Sequence, residues 1–293
     1  MLLDGKKVSE YIKEEIKKEV QKIDELGLQQ PGLAVLMVGE NKASEIYVNS
    51  KIKYSADIGI YSKLVTLPED ITQIRLEKEI EELNNDENIH GILVQLPLPK
   101  HLDSDKVIKL IKPEKDVDCF TKTNIGKIFL GDNYNVAPCT PAGIIELLKK
   151  SNIDILGKDV TIIGRSNIVG KPLALMMINE GATVTVCHSK TKSLDEKTRN
   201  ADILIACVGQ KHFIKKEMAK PGAVVIDVGI NRVDGKICGD VDFDEVSKIA
   251  SYITPVPGGV GPMTVAMLFK NCMNLYKKEV KNAFRKSLNR SKS

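Results

Sequence analysis

Val8, Ile12, Ile16, Val20 and Ile23 recur every three or four residues, which places them on one stripe of an amphipathic helix. An apolar run over residues 33–38 follows and closes at Gly39, the pattern of a short buried strand. Ser44 is then a candidate cap for a second helix carrying Ile46, Ile52 and Ala56, and Gly59 is placed to end it in a left-handed turn. Residues 60–67 read as a strand, Asp70 opens a helix with Ile71, Ile74, Ile80 and Leu83, and residues 91–96 read as a third buried strand. Residues 112–139 have no period and contain Pro113, Gly126, Gly131 and Pro138, which predicts a linker. Thr140 and Pro141 read as N-cap and first residue of a new helix ending near Ser151. Strands then follow over 160–163, 183–187, 203–207 and 224–228, with a helix over 172–180 and a final helix from Met263.

Strands that alternate with helices of this length need crossover connections, so their sheets are parallel and covered on both faces. The expectation is an α/β protein of two doubly wound α/β domains, the second a Rossmann-type parallel sheet, with a cleft between them. The first domain takes residues 1–139 plus 264–293, the final helix returning to pack on it, and the second takes 140–263.

Composition changes this picture little. Of 293 residues, 42% are hydrophobic, 28% charged and 4% aromatic with no Trp, the balance of an ordinary soluble α/β protein. The net charge of +4 is concentrated at one end, where residues 277–293 hold seven Lys or Arg against Glu279 alone. The body offers no basic stripe with interleaved aromatics, so the tail reads as a solvated, fraying helix end, and neither nucleic acid nor membrane is an expected partner. Six scattered cysteines without C-x-x-C and four histidines without metal-ligand spacing predict no metal and no disulfides. Asp4, Glu10, Glu14 and Glu15 do not fit an acid-poor transit peptide, and no apolar run approaches a membrane span, so a cytoplasmic location is expected.

Two places carry candidate chemistry. Gly164-Arg165-Ser166-Asn167-Ile168-Val169-Gly170 follows an apolar strand and precedes a helix with Pro172 in its first turn. A glycine turn there lets backbone N–H groups and the helix N-terminus approach a pyrophosphate. Ser166 replaces the second glycine of G-x-G-x-x-G and the last falls one residue late, so an ordinary strand-to-helix turn stands beside the nucleotide reading. The next strand ends Cys187-His188-Ser189-Lys190, with no acid to hold a ribose 2′-hydroxyl. Arg165, Ser166, Ser189 and Lys190 instead suit a 2′-phosphate, which favours NADP over NAD, while His188 reads as a strand-end histidine. The second place is Tyr47 and Lys51, one helical turn apart, where a ring can stack on a planar heterocycle while an amine moves a proton. On spacing alone, a surface Tyr/Lys pair stands beside that reading.

Longer strings resemble one family specifically. They are Tyr47-Val48-x-x-Lys51, Val94-Gln95-Leu96-Pro97-Leu98-Pro99, Lys115-Asp116-Val117-Asp118, Pro138-Cys139-Thr140-Pro141-x-Gly143, the Gly164–Gly170 turn, and Cys187-His188-Ser189. The runs over 220–231, 239–243 and 254–264 continue the series in order across nearly the whole chain. Together they resemble the bifunctional methylenetetrahydrofolate dehydrogenase/methenyltetrahydrofolate cyclohydrolases of one-carbon folate metabolism and purine biosynthesis. The resemblance implies that Tyr47 stacks on the folate, that Lys51 is the central catalytic residue positioned by Gln95, and that Asp118 anchors the pterin. It further implies that Pro257, Gly258 and Gly259 shape the folate side, that Gly164, Arg165, Ser166 and Ser189 bind NADP, and that Ile230 and Thr264 lie near the nicotinamide. It also implies a homodimer. At one position the chain departs from the family pattern D-V-D-G: Cys119 stands where the glycine is usual.

Overall fold

The computed structural model describes residues 1–39, 42–132, 134–233 and 235–290, and of these all side chains except those of 42–47 and 283–290. The chain forms two compact units. One comprises Ile12–Lys127, Asn133–Ala137 and Leu268–Ser293, and the other Met1–Tyr11, Ile128–Asp132 and Pro138–Met267. No helix among the described residues is long and apolar enough to cross a membrane.

The first unit is built on a three-stranded parallel sheet. α1 (Gly5–Glu25) buries the predicted stripe through Ile12, Ile16 and Val20. β1 (Gly32–Val38) is buried at every position, as a central strand covered on both faces must be. It pairs with β2 (Tyr61–Leu67) and β3 (Gly91–Val94) in the order β2-β1-β3, aligning Gly32 with Tyr61 and Leu33 with Gly91. α2 (Lys42–Ile58) begins before Ser44, which therefore lies inside the helix and is not its cap. α3 (Gln73–Asn85) starts later than Asp70 because the Thr72 side chain accepts from the Arg75 amide at 3.3 Å and so fixes the N-terminus. α4 (Ser104–Leu110) follows. The stretch 112–139 is no bare linker, since it contains α5 (Lys122–Leu130). Tertiary hydrogen bonds rather than periodicity hold its start: the buried Asp116 carboxylate accepts from the amides of Phe120 and Thr121 and from Asn124 Nδ2, at 2.9–3.1 Å.

The second unit opens with α6 (Cys139–Lys150), which starts one residue before Thr140 because the Ala142 amide already donates to Pro138 O at 2.9 Å. Thr140 Oγ1 bonds Thr264 Oγ1 at 3.0 Å instead of acting as the N-cap. β4 (Asp159–Ile163), α7 (Gly170–Asn179), β5 (Thr183–Cys187), α8 (Leu194–Arg199), β6 (Ile203–Ala206) and β7 (Val224–Asp227) come next. A β8–β9 hairpin (Asn231–Val233, Lys236–Cys238), α9 (Phe243–Val246) and β10 (Tyr252–Ile253) complete the unit. The parallel sheet runs β10-β7-β6-β4-β5, so the chain leaves β4 first to one side and then to the other. α10 (Val260–Arg290) ends the chain, and from Leu268 it belongs to the three-stranded unit. There Phe269 stacks on Tyr54 at 4.7 Å, and Asn271 Nδ2 donates to the carbonyls of Val117 and Ala137.

Candidate functional site

In the three-stranded unit, Gln95 directly follows β3 and its amide donates to Leu36 O at 2.8 Å, which extends the pairing with β1 by one residue. Its side-chain amide is oriented by donation from Nε2 to Leu96 O at 2.9 Å, so Oε1 is the atom left to accept. Lys51 Nζ, from the middle of α2, donates to that Oε1 at 2.9 Å. The half-buried amine is thereby held at the carboxyl end of the sheet, where ligands of open α/β folds bind. Tyr47 lies outside the described side chains. Asp118 is half-buried, between Asp116 and the residues that donate to its carboxylate, Phe120, Thr121 and Asn124. Cys119 has a φ of 59°, the left-handed region that favours glycine, and its fully buried Sγ donates to Val136 O at 3.6 Å. Burial holds this thiol well above the usual range.

In the five-stranded unit, Gly164 has a φ of 124°, and a Cβ there would fall 2.4 Å from Cys207 O. A Cβ on Gly170 would fall 2.2 Å from Gly164 O. Both positions therefore need glycine, and the turn between them folds back on itself. Ser166 Oγ accepts from the amides of Val169 and Gly170 at 3.2 and 3.4 Å, which occupies lone pairs of the hydroxyl and pins the turn. Arg165, Ser166 and Ser189 are all exposed, on the loops that leave the carboxyl ends of β4 and β5. An open backbone cradle with a guanidinium and two hydroxyls on adjacent loops fits a phosphorylated dinucleotide. His188 is occupied locally, its Nδ1 accepting from the Lys190 amide at 3.1 Å, in keeping with a strand-end role.

Ile230 is 54% exposed just after β7, and Thr264 lies in the first turns of α10. Pro257, Gly258 and Gly259 sit in the same unit. Val256–Pro257 is cis, Gly258 has a φ of 107°, and a Cβ on Gly259 would fall 2.6 Å from Pro255 O. The structure thus brings Lys51 and Gln95 into contact, groups Gly164, Arg165 and Ser166 in one turn, and puts Pro257–Gly259 in the unit of that turn. Two buried carboxylates, Asp227 and Asp240, had no role in the sequence reading. Their partners are mostly backbone amides, which leave no side-chain pattern to read. Among the described residues no three His, Cys, Asp or Glu side chains converge as a metal site would require.

Residues 3–118 match the tetrahydrofolate dehydrogenase/cyclohydrolase catalytic domain, and residues 138–280 the NAD(P)-binding domain of the same family. Over 281 residues the chain is 55% identical to the bifunctional protein FolD of Sulfurihydrogenibium sp. (strain YO3AOP1), covering 96% of this chain and 99% of that one. The bifunctional methylenetetrahydrofolate dehydrogenase/cyclohydrolase FolD of Campylobacter jejuni superposes with a TM-score of 0.92 at 51% identity, over 95% of this chain and 99% of that one. The corresponding Trypanosoma brucei enzyme, solved with NADP cofactor and inhibitor, gives 0.91 at 41% identity, over 96% and 98%.

Proposed function

The chain belongs to the tetrahydrofolate dehydrogenase/cyclohydrolase family, and from that premise we propose that it oxidises methylenetetrahydrofolate to methenyltetrahydrofolate with NADP and hydrolyses the product to formyltetrahydrofolate. The observation that carries the reading is the 2.9 Å hydrogen bond from Lys51 Nζ to Gln95 Oε1.

Two nitrogens flank the one-carbon unit of the substrate, and their lone pairs stabilise the cation left when hydride departs. The oxidation therefore needs no protein acid, only placement. NADP supplies the hydride acceptor. Hydrolysis differs, because water adds to the methenyl carbon, one C–N bond breaks, and protons must move between oxygen and nitrogen. Lys51 is the group to carry them, and Gln95 holds its amine in place. Tyr47 stacks on the folate and Asp118 anchors the pterin, which assigns folate to the unit of the three-stranded sheet and NADP to the unit of the five-stranded sheet. Gly164, Arg165, Ser166 and Ser189 receive NADP, with Arg165 as the fork for the 2′-phosphate. Ile230 and Thr264 line the nicotinamide end, and Pro257, Gly258 and Gly259 the folate side. A homodimer is supported by the edge strand β5, largely exposed along its length with Val186 37% accessible. A cytoplasmic location is supported by six cysteines of which none forms a disulfide.

The test follows reduced nicotinamide and methenyltetrahydrofolate simultaneously after mixing protein, methylenetetrahydrofolate and NADP. Both signals are expected, the methenyl signal decaying by hydrolysis, with NAD a poorer acceptor. Arg165→Ala should raise the Michaelis constant for NADP by about 10-fold or more, the loss of one charge-assisted hydrogen bond. No nicotinamide reduction, or equal use of NAD and NADP by the unmutated protein, contradicts the reading.

A further inference from the structure

Asp240, just beyond β9, is fully buried, yet its carboxylate accepts four hydrogen bonds. Oδ2 takes the amides of Val208 and Gly209 at 2.7 and 2.9 Å, and Oδ1 takes the Gln210 amide at 2.8 Å and Asn231 Nδ2 at 3.0 Å. Three consecutive amides of the loop after β6 thus converge on one side chain, and the fourth donor comes from the start of β8. Only an acceptor with two oxygens and no proton of its own can satisfy all four at once.

A second carboxylate holds the first. Asp227, the last residue of β7 and itself buried, accepts at Oδ1 from the amides of Gly229 and Asp240 and at Oδ2 from that of Val241, each at 2.9 Å. Glycine makes this approach sterically open. A Cβ on Gly229 would lie 2.2 Å from Asp240 Oδ1, and one on Gly239 would lie 1.8 Å from Asp227 Oδ2. Neither carboxylate reaches solvent, so neither is available to a ligand. What they hold are the loops leaving the carboxyl ends of β6 and β7, in the same sheet as the Gly164–Gly170 turn, at the end where doubly wound sheets bind their ligands.

We propose that Asp240 is a positioning residue of the dinucleotide site, fixing residues 208–210 and Asn231 at the carboxyl ends of β6 and β7, with Asp227 fixing Asp240 in turn. The inference rests on the NADP reading above. In Asp240→Asn an NH2 group replaces one oxygen and faces amide donors, so at least one loop bond becomes a donor-to-donor contact and the loop shifts.

The experiment measures NADP affinity by calorimetry and, on the same preparation, hydrolysis of supplied methenyltetrahydrofolate, which consumes no NADP. Asp240→Asn is expected to weaken NADP binding by about 10-fold or more while hydrolysis stays within about two-fold of the unmutated rate. Should Asp240→Asn fail to fold, Asn231→Ala removes one rim donor and is expected to weaken NADP binding by about three-fold with hydrolysis retained. Unchanged NADP affinity in a variant that still hydrolyses, or parallel loss of both readouts in Asn231→Ala, overturns the assignment. Failure of the unmutated protein to bind NADP would instead overturn the functional reading on which it rests.

Discussion

Cys119 is where a single side chain conflicts most plainly with its backbone. Holding a non-glycine residue in the left-handed region costs roughly 1–2 kcal/mol. Glycine would relieve that cost, but it would also empty the buried space of the thiol and free the unfolded chain, each worth about 1 kcal/mol in the opposite direction. Cys119→Gly is therefore expected to be near neutral in stability and to retain or improve folate affinity. Cys119→Ala keeps the strain and loses the sulfur, so it should be the less stable variant by about 1 kcal/mol in urea denaturation. An alanine variant more stable than the glycine variant would show that the backbone is not strained. The departure itself was visible in the sequence, because the resemblance supplied a glycine to compare it with. The pairing of Lys51 with Gln95 was legible only that way, since no periodicity links residues 44 positions apart. Asp227 and Asp240 lie in the matched runs 220–231 and 239–243, but nothing in the sequence reports the hydrogen bonds that their carboxylates accept.

Among elements, buried strands were the most readable. β1 is apolar because both of its faces are covered; the exposed edge strand β5 was also placed to the residue, at Thr183–Cys187. Helix starts were less so, because Ser44 and Thr140 resemble caps while lying inside their helices, and α5 depends on Asp116, whose bonds no periodicity reports. One contact between β1 and β3 was also hidden. His90, just ahead of β3, accepts the Gly32 amide at Nδ1 at 3.0 Å and packs edge-on against Tyr276 at 4.9 Å. Burial, aided by the nearby Lys115, pushes this histidine down to about 4. The folded protein thus favours neutral His90, whereas the unfolded chain takes up its proton near the ordinary value of about 6.5. This contribution to stability is complete above about pH 6.5 and is lost as pH falls toward about 4, by at most ~3 kcal/mol. His90→Gln keeps an acceptor that does not titrate, so its stability should fall less steeply over that window. Identical slopes for the two proteins in denaturant titrations at stepped pH would remove His90 as the cause.

For the whole molecule, two doubly wound α/β units were expected and two are found, one with order β2-β1-β3 and one with order β10-β7-β6-β4-β5. Crossover connections account for that legibility, because strand-helix alternation leaves few topologies open. The oxidation and the hydrolysis make different demands on the protein: the first needs placement, the second needs proton movement, and Lys51 is assigned only to the second as a chemical participant. Lys51→Met preserves the apolar stem and removes the donor to Gln95. The decisive measurement therefore follows both reactions of purified, folded Lys51→Met protein. Hydrolysis of methenyltetrahydrofolate should fall by about 10²–10⁴-fold, equivalent to about 3–5 kcal/mol of barrier, while oxidation partly survives and the methenyl compound accumulates. Hydrolysis at the unmutated rate would contradict the account.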